Sequence, residues 1–373
     1  MIHKSSVSST IGIWVVALVF ILTCLGLVFV FEASVAESLD TFGDRYYLFK
    51  QHLLGLGAGW LAFVAGLVIP AKFWLKSSQF LWLAGLLLLV LVFVPGIGLH
   101  LNGAARWISI AGLTLQPVEF VKFALIAYLA VWLPKHRELL PFLIVLALPT
   151  SLLLLQPDLG SLLVVLSIAG SLFYIAGGKL KQFSLLGLSA VPLLILVIVL
   201  SPYRLQRVTT FFNPESDPLG SSYHVRQIVI ALGRGGLFGQ GIGNSTQRFS
   251  YIPEASTDSI FAIVAEETGF IGSVVIILIF ALVIFLLFKL VNHTKNPIEI
   301  KLLGNGLAIW ITIQTLLNLS AVAALVPLTG VPLPFFSYGR TALIMILFAT
   351  GVLLSTGKKV WRSWLLVVTW LRP

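Results

Sequence analysis

The chain has 373 residues, of which 58% are hydrophobic and only 10% charged, whereas a soluble domain carries about a quarter charged residues. Such a chain cannot cover a water-facing surface, which excludes a soluble globular protein. Its +10 formal charge therefore reads as membrane topology and contact with anionic lipid, not nucleic-acid binding.

Taken in chain order, apolar runs long enough to cross a bilayer predict ten spans. They lie near Ile11–Phe31, His52–Ile69, Phe80–Val94, Val118–Leu133, Leu140–Leu155, Leu159–Ala176, Phe183–Leu200, Ser259–Phe288, Leu302–Val326 and Thr341–Ser355. The expected fold is an all-α polytopic bundle, a single transmembrane domain over residues 1–373. The first run follows His3 and Lys4 and precedes small residues, as in a signal peptide. Its length and the spans after it favour a retained anchor. The only cysteine, Cys24, lies inside it, so no intrachain disulfide is possible.

Basic residues orient the bundle. With the N-terminus inside, the inner segments hold Lys72, Lys76, Lys135, Arg137, Lys289 and Lys358, among others, while the first outer loop carries Glu37, Asp40 and Asp44. This bias puts both termini in the cytoplasm. The tail from about 357 to 373 carries Trp361, Trp364 and Trp370 beside Arg362 and Arg372 and is expected to lie in the cytoplasmic interface.

A large extracytoplasmic loop, about 202–257, separates spans seven and eight. It holds Arg204, Arg207, Arg226, Arg234 and Arg248, and arginine forks suit phosphate oxygens. Its glycines, from Gly233 to Gly243, either let backbone amides approach an anionic ligand or serve as turns in a solvated loop. Further outer-side residues are Arg106 and Gln116. Glu119 and Lys122 lie three apart on one helix face, as a ligand-facing pair or a structural ion pair. Asp158, in Gln156-Pro157-Asp158, reads as a helix cap.

Between Pro327 and Pro334 three prolines break the helix. Irregular backbone at membrane depth is tolerated where protein buries it or a wet cavity lines it, so this stretch, with Ser337 beyond it, is expected to wall a cavity. Asp258 stands where the long loop enters an apolar helix, either as a cap or as a catalytic acid. Glu266 and Glu267 lie deeper in the same run.

Six blocks occur in order: NGAARWI, QPVEFVK, LLQPDLGS, RQIVIALGRGGLFGQGIGNSTQ, YIPEASTDSIFAIVAEETGFIG and LVPLTGVPLPFFSYG. Together they resemble the SEDS family (shape, elongation, division and sporulation) from the first span to the last, and the STDSIFAI wording is closer to its division branch than to its elongation branch. The resemblance implies a ten-helix peptidoglycan glycosyltransferase in the bacterial cytoplasmic membrane, at the septum if it serves division, that polymerises lipid II. Its implied partners are a class B penicillin-binding protein transpeptidase and other divisome or elongasome membrane proteins.

By match to the family's TD motif, Asp258 takes the place of the catalytic aspartate, as general base on the acceptor sugar hydroxyl. Glu119, Lys122, Arg106, Arg204, Arg207, Arg226, Gln116 and Ser337 are expected to bind substrate. The leaving pyrophosphate needs cationic stabilisation, from arginines, Lys122 or a divalent cation (Mg²⁺ or Mn²⁺). No residue cluster has metal-ligand spacing, so such an ion is expected to rest partly on substrate phosphates. The alternatives are a lipid II flippase and a non-catalytic scaffold for the transpeptidase. Three positions depart from the family pattern: Arg340 replaces a small residue, Ala105 an arginine, and His224 a glutamine.

Overall fold

The computed structural model describes residues 2–357 except 102–103, 111–112, 180, 183, 185–186, 189–191, 193–194, 196–197, 200, 214–221 and 246–254. The predicted seventh span and the interfacial tail fall largely or wholly outside the described residues. Each of the other nine predicted spans coincides with a helix. The first half holds α1 (Ile2–Phe42), α2 (Tyr47–Val68), the short α3 (Ala71–Lys76), α4 (Ser78–Leu91), α5 (Pro117–Trp132), α6 (Leu139–Leu155) and α7 (Leu159–Ile175). The second half holds α8 (Pro202–Phe212), α9 (Tyr223–Gly235), α10 (Ile260–His293), α11 (Ile298–Val322) and α12 (Arg340–Ser355).

Four helices, α1, α2, α10 and α11, are individually long and apolar enough to cross a membrane. Large apolar side chains such as Leu61, Phe80, Leu140 and Phe270 are largely exposed on the outward faces, the kind of surface that lipid covers in a chain this apolar. The chain is an integral membrane protein. One apolar core runs through the bundle, built from residues such as Val19, Phe123, Leu172, Trp310 and Leu347. Helices α2 and α12 pack most intimately. A Cβ at Gly59 would meet the Leu347 side chain at 2.7 Å, and one at Gly66 the Phe348 carbonyl oxygen at 2.6 Å. Small residues let helix backbones approach where lipid supplies no hydrophobic drive.

The structure corrects the expected all-α architecture at one point. Strands β1 (Gly98–Leu101), β2 (Ala104–Ile110) and β3 (Leu113–Leu115) form an antiparallel three-stranded sheet in the order β1-β2-β3. Gly98 pairs with Ile108 in one ladder, and Ile108 with Leu115 in the other. The 18 residues from 98 to 115 are too few for two spans but enough for a meander, which satisfies its own backbone. Ala105 and Ile108 bury against Val92 in a small satellite core, so the position that departs from arginine points into packing. Helix α1 also continues beyond its predicted end to Phe42, which places Glu37 and Asp40 on a helix. The long loop predicted at about 202–257 contains two amphipathic helices, α8 and α9.

Arg340 begins α12 and ties three elements together. Its Nη1 donates to Gln51 Oε1 on α2 at 2.7 Å, and its Nη2 to Thr114 Oγ1 on β3 at 3.0 Å. Arg340→Ala is expected to lower stability by about 2 kcal/mol, the scale of lost bonds to a charged donor. A thermal melt in detergent checks this, and an unchanged melting temperature would show that the brace contributes nothing.

Candidate active site

The segment between α11 and α12, residues 323–339, is irregular, and its stretch from Val331 to Ser337 is buried except for half-buried Pro332. Phe335 takes a left-handed φ of 64° there while only 2% exposed, a conformation that persists only where surrounding packing enforces it. Backbone groups of this segment are held by side chains from elsewhere. The Val331 carbonyl accepts from Asn318 Nδ2 at 2.9 Å, the Pro332 carbonyl from Gln314 Nε2 at 3.1 Å, and the Leu328 carbonyl from Arg207 Nη1 at 3.1 Å. Within the segment, the Leu333 amide donates to Ser337 Oγ at 2.9 Å. Irregular backbone is thus tolerated at depth because protein satisfies it.

The outer stretch of the same segment walls a cavity of about 290 Å³. Val326, Pro327, Leu328 and Thr329 form one side, and Leu159, Leu163 and Leu317 contribute apolar surface. Arg106 and Arg207 are its charged lining residues. Arg106 donates from Nε to the Gln156 carbonyl at 3.4 Å and from Nη2 to the Pro157 carbonyl. An apolar chamber with two guanidinium groups suits a lipid tail that carries an anionic head.

Asp258 stands behind this wall, 8% exposed. Its Oδ2 lies 3.9 Å from where a side chain at Gly330 would begin, next to the cavity-lining Thr329. Its carbonyl accepts from Asn318 Nδ2 at 2.7 Å, and its Oδ1 from Ser259 Oγ at 3.2 Å. The N-cap of α10 is Ser259, and it makes no side-chain cap bond. The Ser259 hydroxyl is therefore turned to the aspartate instead of the helix. The positive end of the α10 dipole faces this carboxylate, a placement that favours negative charge.

His224, near the start of α9, completes the surroundings: its Nε2 lies 2.8 Å from Ser259 Oγ. Burial pushes the His224 imidazole down to about 4, and the Arg207 guanidinium adds to that. The imidazole is neutral at physiological pH.

Glu119 and Lys122 occupy a different place. Lys122 Nζ donates to Glu119 Oε1 at 2.7 Å and to Gln314 Oε1 at 2.9 Å, and it lies 4.9 Å from the Trp310 ring centre. The two side chains are 1% and 2% exposed, and neither lines the cavity. The two side chains form a buried ion pair with each other. Through Gln314 the pair supports the Pro332 carbonyl, three residues beyond the cavity-lining Thr329.

The other predicted residues divide as follows. Arg106 and Arg207 meet at the cavity. Arg226 is exposed on α9; the Arg204 side chain lies outside the described residues. Gln116 is the N-cap residue of α5 without a side-chain cap bond, and its backbone N–H donates to Thr341 Oγ1 at 3.3 Å. Ser337 closes a local turn. Asp158 is a helix cap, its Oδ1 accepting from the Ser161 amide at 3.1 Å.

The glycine loop packs on protein. Gln240 and Gly241 amides donate to the Glu266 and Glu267 carbonyls at 3.0 Å each. A Cβ at Gly239 would collide with the Glu267 carbonyl. Gly269, at φ 68°, kinks α10 to receive this loop. The Glu266 carboxylate accepts from Ser245 Oγ and lies 3.8 Å from Arg234 Nε.

Sequence reasoning missed Gln314, Asn318 and Ser259. The first two follow Trp310 at intervals of four in an apolar helix, which puts all three on one face. That spacing of amide side chains within a span was the available signal.

The family model for the FtsW, RodA and SpoVE cell cycle proteins matches residues 13–360. A probable peptidoglycan glycosyltransferase FtsW of Coxiella burnetii is 40% identical over 365 residues, 95% of this chain and 98% of that protein. Stage V sporulation protein E of Bacillus subtilis is 35% identical over 351 residues, 92% of this chain and 96% of that protein. One solved chain from a peptidoglycan synthase complex, described as coordinating polymerization and crosslinking, is 28% identical. It superimposes with a TM-score of 0.75 over 93% of this chain and 98% of that one. With a match that spans nearly its whole length, the chain belongs to the FtsW/RodA/SpoVE family of cell cycle proteins, the SEDS family that its ordered motifs resemble.

Proposed function

We propose that this chain is a peptidoglycan glycosyltransferase that extends glycan strands from lipid II, with Asp258 as its general base. The observation that carries the reading is the buried Asp258 carboxylate set against the wall of an apolar cavity that also holds Arg106 and Arg207. Relatives of similar length carry the name peptidoglycan glycosyltransferase, which supports the same reaction class.

In this reading a C4 hydroxyl of the acceptor sugar attacks the anomeric carbon of the donor. The new C–O bond forms as the bond to pyrophosphate breaks, with inversion. The hydroxyl proton passes to Asp258, and the polyprenyl pyrophosphate leaves with the electron pair. A sugar hydroxyl is a poor nucleophile, so a carboxylate in hydrogen-bond reach contributes about 10²–10⁴-fold. Arg106 and Arg207 offset the leaving-group charge, and the apolar chamber takes the first part of the polyprenyl chain.

Among the described residues no group of three or more His, Cys, Asp or Glu side chains is placed to hold a metal ion. A Mg²⁺ or Mn²⁺ fits this donor set only when held mainly by pyrophosphate oxygens, where it would neutralise leaving-group charge. We place the chain in the bacterial cytoplasmic membrane with ten spans, both termini cytoplasmic and the Asp258 cavity on the outer side. Its partner in this reading is a class B penicillin-binding protein, within the division machinery at the septum.

The test incubates the purified full chain, with and without that transpeptidase, with labelled lipid II and Mn²⁺, and resolves glycan chains on a gel. Polymer is expected, and less of it in excess chelator. Undiminished polymer in chelator would reject the metal. No polymer under any condition would return the flippase and scaffold readings.

A further inference from the structure

We infer that His224, acting through Ser259, is a positioning residue for the Asp258 carboxylate. The inference rests on the role of Asp258 proposed above.

The hydrogen bonds run in one direction. Ser259 has a single hydroxyl proton, and it goes to Asp258 Oδ1 at 3.2 Å. Towards His224, 2.8 Å away, Ser259 Oγ can then only accept, so His224 carries its proton on Nε2. The chain is His224 Nε2–H to Ser259 Oγ, and Ser259 Oγ–H to Asp258 Oδ1. Ser259 is fully buried and its hydroxyl leaves the helix uncapped, so no competing bond draws it away.

Asp258 is thereby held at two points, its backbone carbonyl and one carboxylate oxygen. Asn318 of α11 holds the carbonyl of Asp258, while Ser259 and His224 hold one carboxylate oxygen. The other oxygen, Oδ2, lies on the Gly330 side of the wall. At Gly330, φ is +69°, a conformation that favours glycine, so no side chain enters from that position. A base must meet the hydroxyl proton within a narrow geometry, and loss of that geometry is costly even with every reacting group present.

Two functions are open to such a chain: passing the substrate proton onward, or orienting the carboxylate. Passing it onward would place a second cation in a buried site next to Arg207. The depressed basicity of His224 opposes that step, so orientation is the function the geometry supports. Glutamine then becomes informative, since its terminal amide nitrogen reaches about as far as imidazole Nε2. It can donate to Ser259 but cannot take up a proton.

The experiment compares polymerisation rates of the full chain with its transpeptidase partner for His224→Leu, His224→Gln, Ser259→Ala, the His224→Leu/Ser259→Ala double variant and Asp258→Asn. His224→Leu and Ser259→Ala are each expected to lower kcat about tenfold, the scale of one buried hydrogen bond. KM should stay within about twofold, because the substrate pocket is untouched. The double variant should be no slower than either single one, as residues acting in one chain are not additive. His224→Gln should recover most of the rate.

Several results would overturn the inference. Wild-type kcat in His224→Leu alongside an inactive Asp258→Asn would remove His224 and leave the base assignment standing. An active Asp258→Asn would remove both. A His224→Gln variant as slow as His224→Leu would replace positioning with proton transfer. A double variant slowed by the product of the single effects would break the chain. Should His224→Leu fail to fold, Ser259→Ala with Ser259→Thr as its rescue decides the same question.

Discussion

Asp258→Asn is expected to reduce polymerisation of labelled lipid II by about 10²–10⁴-fold, the usual worth of a positioned base. Asparagine keeps the shape of the side chain and retains a carbonyl oxygen that can accept from Ser259 Oγ, the bond made by Oδ1 in the parent. The backbone bond from Asn318 is unaffected. What disappears is the capacity to take a proton. The melting temperature in detergent should therefore stay near that of the parent while glycan chains vanish from the gel. A correctly folded Asp258→Asn protein with full activity would move the base elsewhere.

Lys122→Met should act on stability first. It removes the partner of Glu119 in a site where both side chains are almost wholly buried, and an uncompensated buried charge costs roughly 3–5 kcal/mol. It also removes one of the two donors to Gln314 Oε1, the other being Trp310 Nε1 at 2.8 Å. The Glu119→Met/Lys122→Met double variant should regain much of the lost stability, because matched apolar replacements of a buried pair are often close to neutral. Thermal melts of the three proteins measure this. If Lys122→Met melted like the parent but lost polymerisation, Lys122 would be a substrate ligand, as the family resemblance implied.

These two residues show what a sequence reveals here and what it does not. Membrane spans are legible because each needs only length and hydropathy, and nine predicted positions became helices. The proline run between Pro327 and Pro334 was legible because proline forbids helix continuation and buried irregular backbone demands support. Asp158 was legible as a cap because the signal is local. By contrast, Glu119 and Lys122 announce a buried charge pair without announcing what surrounds it. The answer depended on Gln314, nearly two hundred residues later. The sheet around Trp107 was hidden because its strands, Gly98–Leu101, Ala104–Ile110 and Leu113–Leu115, are too short to show a clear alternation. The glycines near Gly239 carry the composition of a ligand loop. Only the fold reveals that α10, kinked at Gly269, occupies the space that the missing side chains of Gly235 and Gly239 leave. Arg340 departs from the family pattern by replacing a small residue, and its contacts lie with α2 and β3.

The amide of Asn318 carries one further consequence. From a single α11 position it grips both the Asp258 carbonyl and the Val331 carbonyl, while one turn earlier Gln314 grips Pro332. The base and the chamber wall are thus bolted to the same rod. Any tilt of α11 carries both along together, so the chamber changes shape and the carboxylate changes aim in one movement.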